Sequence, residues 1–176
     1  VEAGVDITSE ASVKDLQSRL GNTPIDVLLN NAGMLKRVTL EDLDFDSIRA
    51  QFEVNALGAL RVTHALLPNL KPGSKVVLMT SRMGSIGDNT SGGSYGYRMS
   101  KVALSMAGKS LAHDLKPRGI AVAILHPGLV QTRMTNFTTG GITPEQSVKG
   151  LLTRIDELTL ETTGTFWHAN GEVLPW

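Results

Sequence analysis

The sequence predicts an α/β fold, a doubly wound parallel sheet with helices on both faces. Three observations carry this reading. Residues 25–29, 75–79 and 120–125 are short apolar runs that fill successive positions, as strands buried on both faces do. Longer helical patterns separate them, and strand–helix–strand alternation joins parallel neighbours by crossovers. Each run also ends abruptly in small or polar residues, which gathers those residues at one edge of the sheet.

Taken in order, Thr8 or Ser9 caps a helix running to about residue 20, and Gly21-Asn22 closes it. The strand at 25–29 runs into Asn30-Asn31-Ala32-Gly33. Residues 46–70 read as a helix with Pro68 near its end; Ile48, Phe52, Asn55, Ala59 and Thr63 mark one face. The strand at 75–79 follows the turn signal Pro72-Gly73 and ends at Thr80-Ser81. A Gly- and Ser-rich loop over 84–94 leads to a helix over 95–115, with Tyr97, Lys101, Leu104, Gly108 and Leu111 on one face. Pro117-Arg118-Gly119 breaks it. The strand at 120–125 meets His126-Pro127-Gly128, and a Thr- and Gly-rich loop spans 131–141. Thr143-Pro144-Glu145-Gln146 starts a last helix, with Thr at the N-cap, Pro at the first helical position and Gln at the third. A last strand at about 165–168 and a turn at Asn170-Gly171 finish the chain.

The totals narrow the function classes. The 176 residues fit one domain, 1–176, with length enough for a core. Hydrophobic content of 41% and charged content of 19% are ordinary for a soluble protein. Lys+Arg and Asp+Glu both number 17, so nothing points to nucleic acid or an anionic membrane. No apolar run approaches the roughly 20 residues of a membrane span. There is no Cys, which removes thiolate chemistry and suits a reducing compartment. With no leader pattern, the expectation is a cytoplasmic protein. The four His lie on separate elements without zinc-ligand spacing.

The chemistry centres on Tyr97-Arg98-Met99-Ser100-Lys101. Tyr and Lys four apart stand on one helical face. A phenol with a reference pKa of about 10 is a poor acid/base near neutrality, and a neighbouring cation favours its phenolate. The pair is a means of exchanging a proton with an alcohol or carbonyl oxygen. In parallel α/β sheets ligands bind outside the carboxyl ends of the strands. Asn-Asn-Ala-Gly, Thr80-Ser81 and His126-Pro127-Gly128 all fall there. Each alone also reads as a turn or cap. Asn55 on a buried helical face must find partners or cost about 1–3 kcal/mol.

Together, Asn-Asn-Ala-Gly, Asn55 in Asn-Ala-Leu-Gly, Ser81, Tyr97-x-x-x-Lys101 and Pro127-Gly128 resemble the short-chain dehydrogenase/reductase family, over essentially the whole chain. Thr80-Ser81-Arg82-Met83-Gly84-Ser85, the Tyr97–Lys101 segment and the ending Leu174-Pro175-Trp176 resemble its C-factor-like branch, the myxobacterial cell-contact signalling proteins. The resemblance implies a Rossmann-like fold, NAD or NADP as cofactor, and a small-molecule alcohol or carbonyl as substrate. It implies Tyr97 as acid/base, Lys101 as the cation that lowers the Tyr97 pKa and binds the nicotinamide ribose, and Ser81 as a hydrogen-bond partner of the substrate oxygen. Asn55 would hold a water of the proton relay. Asp6, Asn30, Ala32 and Gly33 would lie along the adenosine side, and Pro127, Gly128 and Thr132 along the nicotinamide side. It also implies a homo-oligomer paired through the helices of Asn55 and Tyr97, with Ala56, Ala59, Ala103, Ala107 and Gly108 allowing close approach.

Two departures stand out. The sixteen positions from Ser81 to Tyr97 exceed the family's usual spacing, so Thr80 competes for the Ser81 role. No Gly-x-x-x-Gly-x-Gly turn follows a strand, so an N-terminally truncated chain is expected, with two βα units, roughly 60 residues, ahead of Val1. Two functions remain open, an oxidoreductase and a non-catalytic signalling or binding fragment. The 176 residues alone are expected to be inactive.

Overall fold

A computed structural model describes residues 2–176. Helix α1 (Glu10–Leu20) begins where the Ser9 hydroxyl accepts from the Ser12 amide, and stops at Gly21, whose φ of 52° takes the chain out of the helix. Four parallel strands follow in the spatial order β1 (Ile25–Asn30), β2 (Leu70–Met79), β3 (Ala121–His126), β4 (Phe166–His168). The register sets Leu29 beside Val77 and Val77 beside Ala123, so the three strand ends come level at one edge. The core lies on both sides of β2 and β3, whose Val76, Val77, Leu78 and Val122 to Leu125 are fully buried.

On one face Val76, Leu78 and Val122 pack against Leu104, Ala112 and Leu115 of helix α4 (Tyr95–Leu115). The approach is close at Gly108, where a Cβ would lie 2.7 Å from Ile124 and 2.8 Å from Leu78. On the other face Val77, Met79, Ala123 and Leu125 meet Ile155, Leu158 and Leu151, brought by helix α5 (Pro144–Asp156) and the turn after it. Helix α5 opens with the expected reciprocal cap between Thr143 and Gln146. Phe166 stacks on Trp176 at 5.6 Å, while Trp167 packs half-buried against the second core.

Two expectations are corrected. Residues 25–29 were expected to be buried on both faces, yet Val27 is 46% and Leu29 50% exposed. Ile25 and Leu28 pack toward Val13, Val62 and Leu66, and only that side of β1 is covered. The other side shares its direction with Lys75 and Val77, and α5 reaches over β2 and β3 but stops short of β1. The single helix expected over 46–70 is instead α2 (Phe45–Phe52), a π-helical turn (Glu53–Gly58), α3 (Ala59–Ala65) and a 3-10 turn (Leu67–Asn69). The small residues Ala56, Ala59 and Gly108 are spent inside the chain's own core.

Candidate active site

The strand ends and the first turns of α4 enclose a cavity of about 800 Å³. Asn31, Ala32 and Gly33 line it beyond β1, Thr80 to Met83 beyond β2, and His126 to Val130 beyond β3. Tyr97 comes from α4, Thr132 to Thr135 from the following loop, and Ser147, Val148 and Leu151 from α5. The helical crossovers between parallel strands bring these ends together, since they return every strand in the same direction.

Tyr97 sits on the first turn of α4 with 7% of its surface exposed. Burial pushes its phenol up, and a hydrogen bond with the Ser81 hydroxyl pulls the other way. Lys101 stands one turn on, its Nζ 5.6 Å from the centroid of the Tyr97 ring. That ammonium donates to the Met79 carbonyl at 2.8 Å, and burial brings its pKa down to about 8. The phenol is thus raised rather than lowered, because desolvation of the phenolate outweighs its favourable partners.

The two hydroxyls at the end of β2 point to different work. Ser81 Oγ accepts from the Met83 amide and faces Tyr97. Thr80 Oγ1 lies between the Lys101 carbonyl at 3.0 Å and Ser105 Oγ at 2.9 Å, buried between sheet and helix. The geometry places Ser81 beside the phenol and gives Thr80 to packing. The turn after Ser81 rests directly on α4: a Cβ on Gly84 would meet the Lys101 backbone carbon at 2.8 Å.

Asn55 lies in the π-helical turn and is fully buried. Its Oδ1 accepts from the Met34 amide at 2.8 Å; its Nδ2 donates to the Met34 carbonyl and to Ser100 Oγ, each at 2.9 Å. The side chain therefore clamps the segment after β1 to α4. Gly33 fits between these groups because it has no side chain: a Cβ there would stand 3.3 Å from Asn55 Oδ1 and 3.4 Å from Lys101 Nζ.

Of the residues expected to meet the cofactor, Ala32, Gly33, Tyr97, Pro127, Gly128 and Thr132 line the cavity. Asn30, Asp6, Asn55 and Lys101 do not. The Asn30 amide turns to Thr63 Oγ1 at 3.1 Å, and Asp6 is an exposed carboxylate held low by the Thr8 hydroxyl and amide. The sequence reading missed Ser100 and the fully buried Gln51, which accepts from the Lys36 amide. It also passed over His126, whose ring meets His168 edge-on at 4.8 Å and whose pKa burial brings down to about 3. The place of Ser100 between Tyr97 and Lys101 was the available signal for the first of these.

Known proteins resemble this chain in sequence and fold. The model of the short chain dehydrogenase family matches residues 2–141. The chain is 47% identical to 1-hydroxy-2-glutathionyl-2-methyl-3-butene dehydrogenase of Rhodococcus sp., covering 100% of this chain and 80% of that protein. It is also 47% identical to C-signal of Myxococcus xanthus, over 87% of this chain and 93% of that one. Among solved structures, an NADPH-bound carbonyl reductase from chicken fatty liver superposes with a TM-score of 0.92 at 27% identity, over 100% of this chain and 77% of the other. The carbonyl reductase Sniffer of D. melanogaster gives 0.91 at 27%, over 99% and 77%. On the family match and the two relatives at 47% identity, the chain belongs to the short-chain dehydrogenase family, and is by family an oxidoreductase.

Proposed function

We propose that the cavity interconverts an alcohol and a carbonyl compound, with NAD or NADP as the redox partner. The observation that carries this reading is the convergence of Ser81 and Tyr97 on one cavity at the carboxyl ends of parallel strands, with Lys101 Nζ 5.6 Å from the Tyr97 ring behind them. When bound, a nicotinamide cofactor supplies or accepts a hydride. The fit is supported by the bare backbone of Gly33 between Asn55 and Lys101, and by Gly128, whose φ of 89° and close approach to Ile142 and His168 leave little room for a side chain. Ala32, Gly33, Pro127, Gly128 and Thr132 would hold the group along the cavity.

Tyr97, kept protonated by its burial, gives its proton to the carbonyl oxygen during reduction. Ser81 Oγ hydrogen-bonds the same oxygen. Lys101, charged at neutral pH, favours the phenolate as it forms. Both donors of the Asn55 amide are taken, so a relay water at this position would rest on the second lone pair of its Oδ1 or on backbone carbonyls of the π-helical turn.

The described residues contain no helix long and apolar enough to cross a membrane. The lack of Cys fits the cytoplasm. Homo-oligomer formation is supported by a stripe on α4, where exposed Met99 and Met106 flank the half-buried Ala103. Within the 176 residues no Gly-rich turn presents amides to a pyrophosphate, so this chain alone binds dinucleotides weakly and turns over slowly or not at all. The likeness to C-signal favours a second reading, in which the fold acts as a signal without chemistry. Carbonyl-dependent consumption of reduced cofactor by the chain joined to two βα units of the family, the first carrying the Gly-rich turn, compared between wild type and Tyr97→Phe, separates the two.

A further inference from the structure

The walls of the cavity away from Tyr97 are apolar, built by Leu35, Met83, Leu129, Met134, Val148 and Leu151. Among the described residues no carboxylate lines it. Of its two guanidinium groups, the charge of Arg82 is already met by Glu172 at 2.5 Å and Asp88 at 3.2 Å, although its buried Nε makes no hydrogen bond. His126 carries no charge at neutral pH, because burial holds it far below its ordinary value. Arg133 remains, exposed and with no ion pair or side-chain hydrogen bond among the described residues.

The backbone that carries Arg133 is firmly set. It opens a 3-10 turn (Arg133–Thr135) in which Thr135 Oγ1 accepts from the Thr132 amide at 3.1 Å and donates to the Val130 carbonyl at 2.5 Å. Asn136 and Phe137 both adopt φ of 51°, and the Phe137 amide returns to the Thr132 carbonyl at 2.8 Å. An exposed cation is screened by water, and an anion whose apolar body fills the cavity beside it excludes part of that water and strengthens the pairing.

Building on the function proposed above, we infer that Arg133 selects substrates with an apolar body and a carboxylate, the carboxylate pairing with its guanidinium while the reacting oxygen lies at Ser81 and Tyr97. A planar fork of donors suits a carboxylate, which it binds through two hydrogen bonds. The phosphates of a dinucleotide offer the same charge from the other side of the site, so the test carries both ligands.

The experiment titrates the 176-residue chain at pH 7 with para-acetylbenzoate, with its methyl ester and with inorganic pyrophosphate, for wild type, Arg133→Gln and Arg133→Lys. Binding is read by ligand-detected NMR, which needs neither cofactor nor turnover, so failure of the catalytic reading leaves this result standing. Wild type is expected to bind the carboxylate about tenfold tighter than the ester, as one charge-assisted hydrogen bond provides. Arg133→Gln should erase that preference and leave ester binding unchanged, and Arg133→Lys should keep part of it. Equal binding of acid and ester by wild type, no binding of the acid at millimolar concentration, or an unchanged preference in Arg133→Gln would each overturn the inference. A loss confined to pyrophosphate would also overturn it, and would assign Arg133 to the cofactor.

Discussion

The Asn55 amide donates to the Ser100 hydroxyl across 2.9 Å, and that hydroxyl donates in turn to the Tyr97 carbonyl at 2.9 Å. Through this pair the π-helical turn is tied to the first turns of α4, where Tyr97 and Lys101 stand. With both Met34 backbone groups on the same amide, Asn55 holds three structural pieces in register.

Asn55→Ala should therefore destabilise the fold by about 2–4 kcal/mol, since it leaves several buried polar groups without partners. Ser100→Ala should cost about 1 kcal/mol, and the double variant less than the sum, because the two share one bond. Urea denaturation at pH 7 measures all three. A cost below about 0.5 kcal/mol for Asn55→Ala, the level of an ordinary surface change, would remove it as a clamp.

How much of this was legible follows from the kind of signal each feature leaves. Helix α4 could be read to both ends because Pro117 and Gly119 punctuate it and its buried face repeats regularly. The edge carrying Ser81, Tyr97 and Pro127 followed from strand ends alone. The π-helical turn left no mark, since widening one turn needs no special residue; it follows from how Asn55 and Gly58 are packed, with Ile7 against the bare Gly58 backbone. The exposure of Val27 and Leu29 was hidden because an apolar run shows what a strand can bury, not which helix covers it. His126 and His168 meet through the pairing of β3 with β4, a contact between residues far apart in sequence.

Lys101 trades stability for chemistry. Its pKa is brought from 10.5 to about 8 by burial, so between those values the unfolded chain holds a proton that the folded chain has lost. Wild-type stability should rise with pH across that window, and the cost of burying the charge is fully present below pH 8. Lys101→Met should be more stable than wild type at pH 7 by about 1–3 kcal/mol, after loss of the bond to the Met79 carbonyl. The gap should close by about pH 10.5. Paired denaturation curves at pH 7 and pH 10 check this, and a variant less stable at pH 7 would contradict it.

Ser81 and Thr80 should separate by what they disturb. Activity is measured in the chain joined to the two βα units expected ahead of it, the first carrying the Gly-rich turn, taken from a member of the family. Ser81→Ala should lower kcat/KM by an amount worth about 1–3 kcal/mol, with stability close to wild type. Thr80→Ala should mainly lower stability, because its hydroxyl bonds Lys101 and Ser105 inside the fold. A larger rate loss for Thr80→Ala would exchange their roles.

The 176 residues alone should bind NAD and NADP with dissociation constants near millimolar or weaker, about −4 kcal/mol. The pyrophosphate carries two charges and meets no amide-rich turn in this sequence. Isothermal calorimetry with both dinucleotides gives the answer directly. Low-micromolar binding would show that other groups of this chain supply the missing donors.

The central claim is that the Tyr97 hydroxyl moves the proton, and Tyr97→Phe isolates it, since the phenyl ring keeps the packing and loses only the hydroxyl. In the chain joined to the same two units, carbonyl-dependent oxidation of NADPH and NADH is followed for wild type and variant, with thermal unfolding as the control for the fold. The account predicts that kcat falls about a hundredfold to ten-thousandfold, as loss of general acid–base catalysis does, while the unfolding temperature stays within a few degrees. Activity within about tenfold of wild type, below that range, would contradict it and take the proton transfer away from Tyr97.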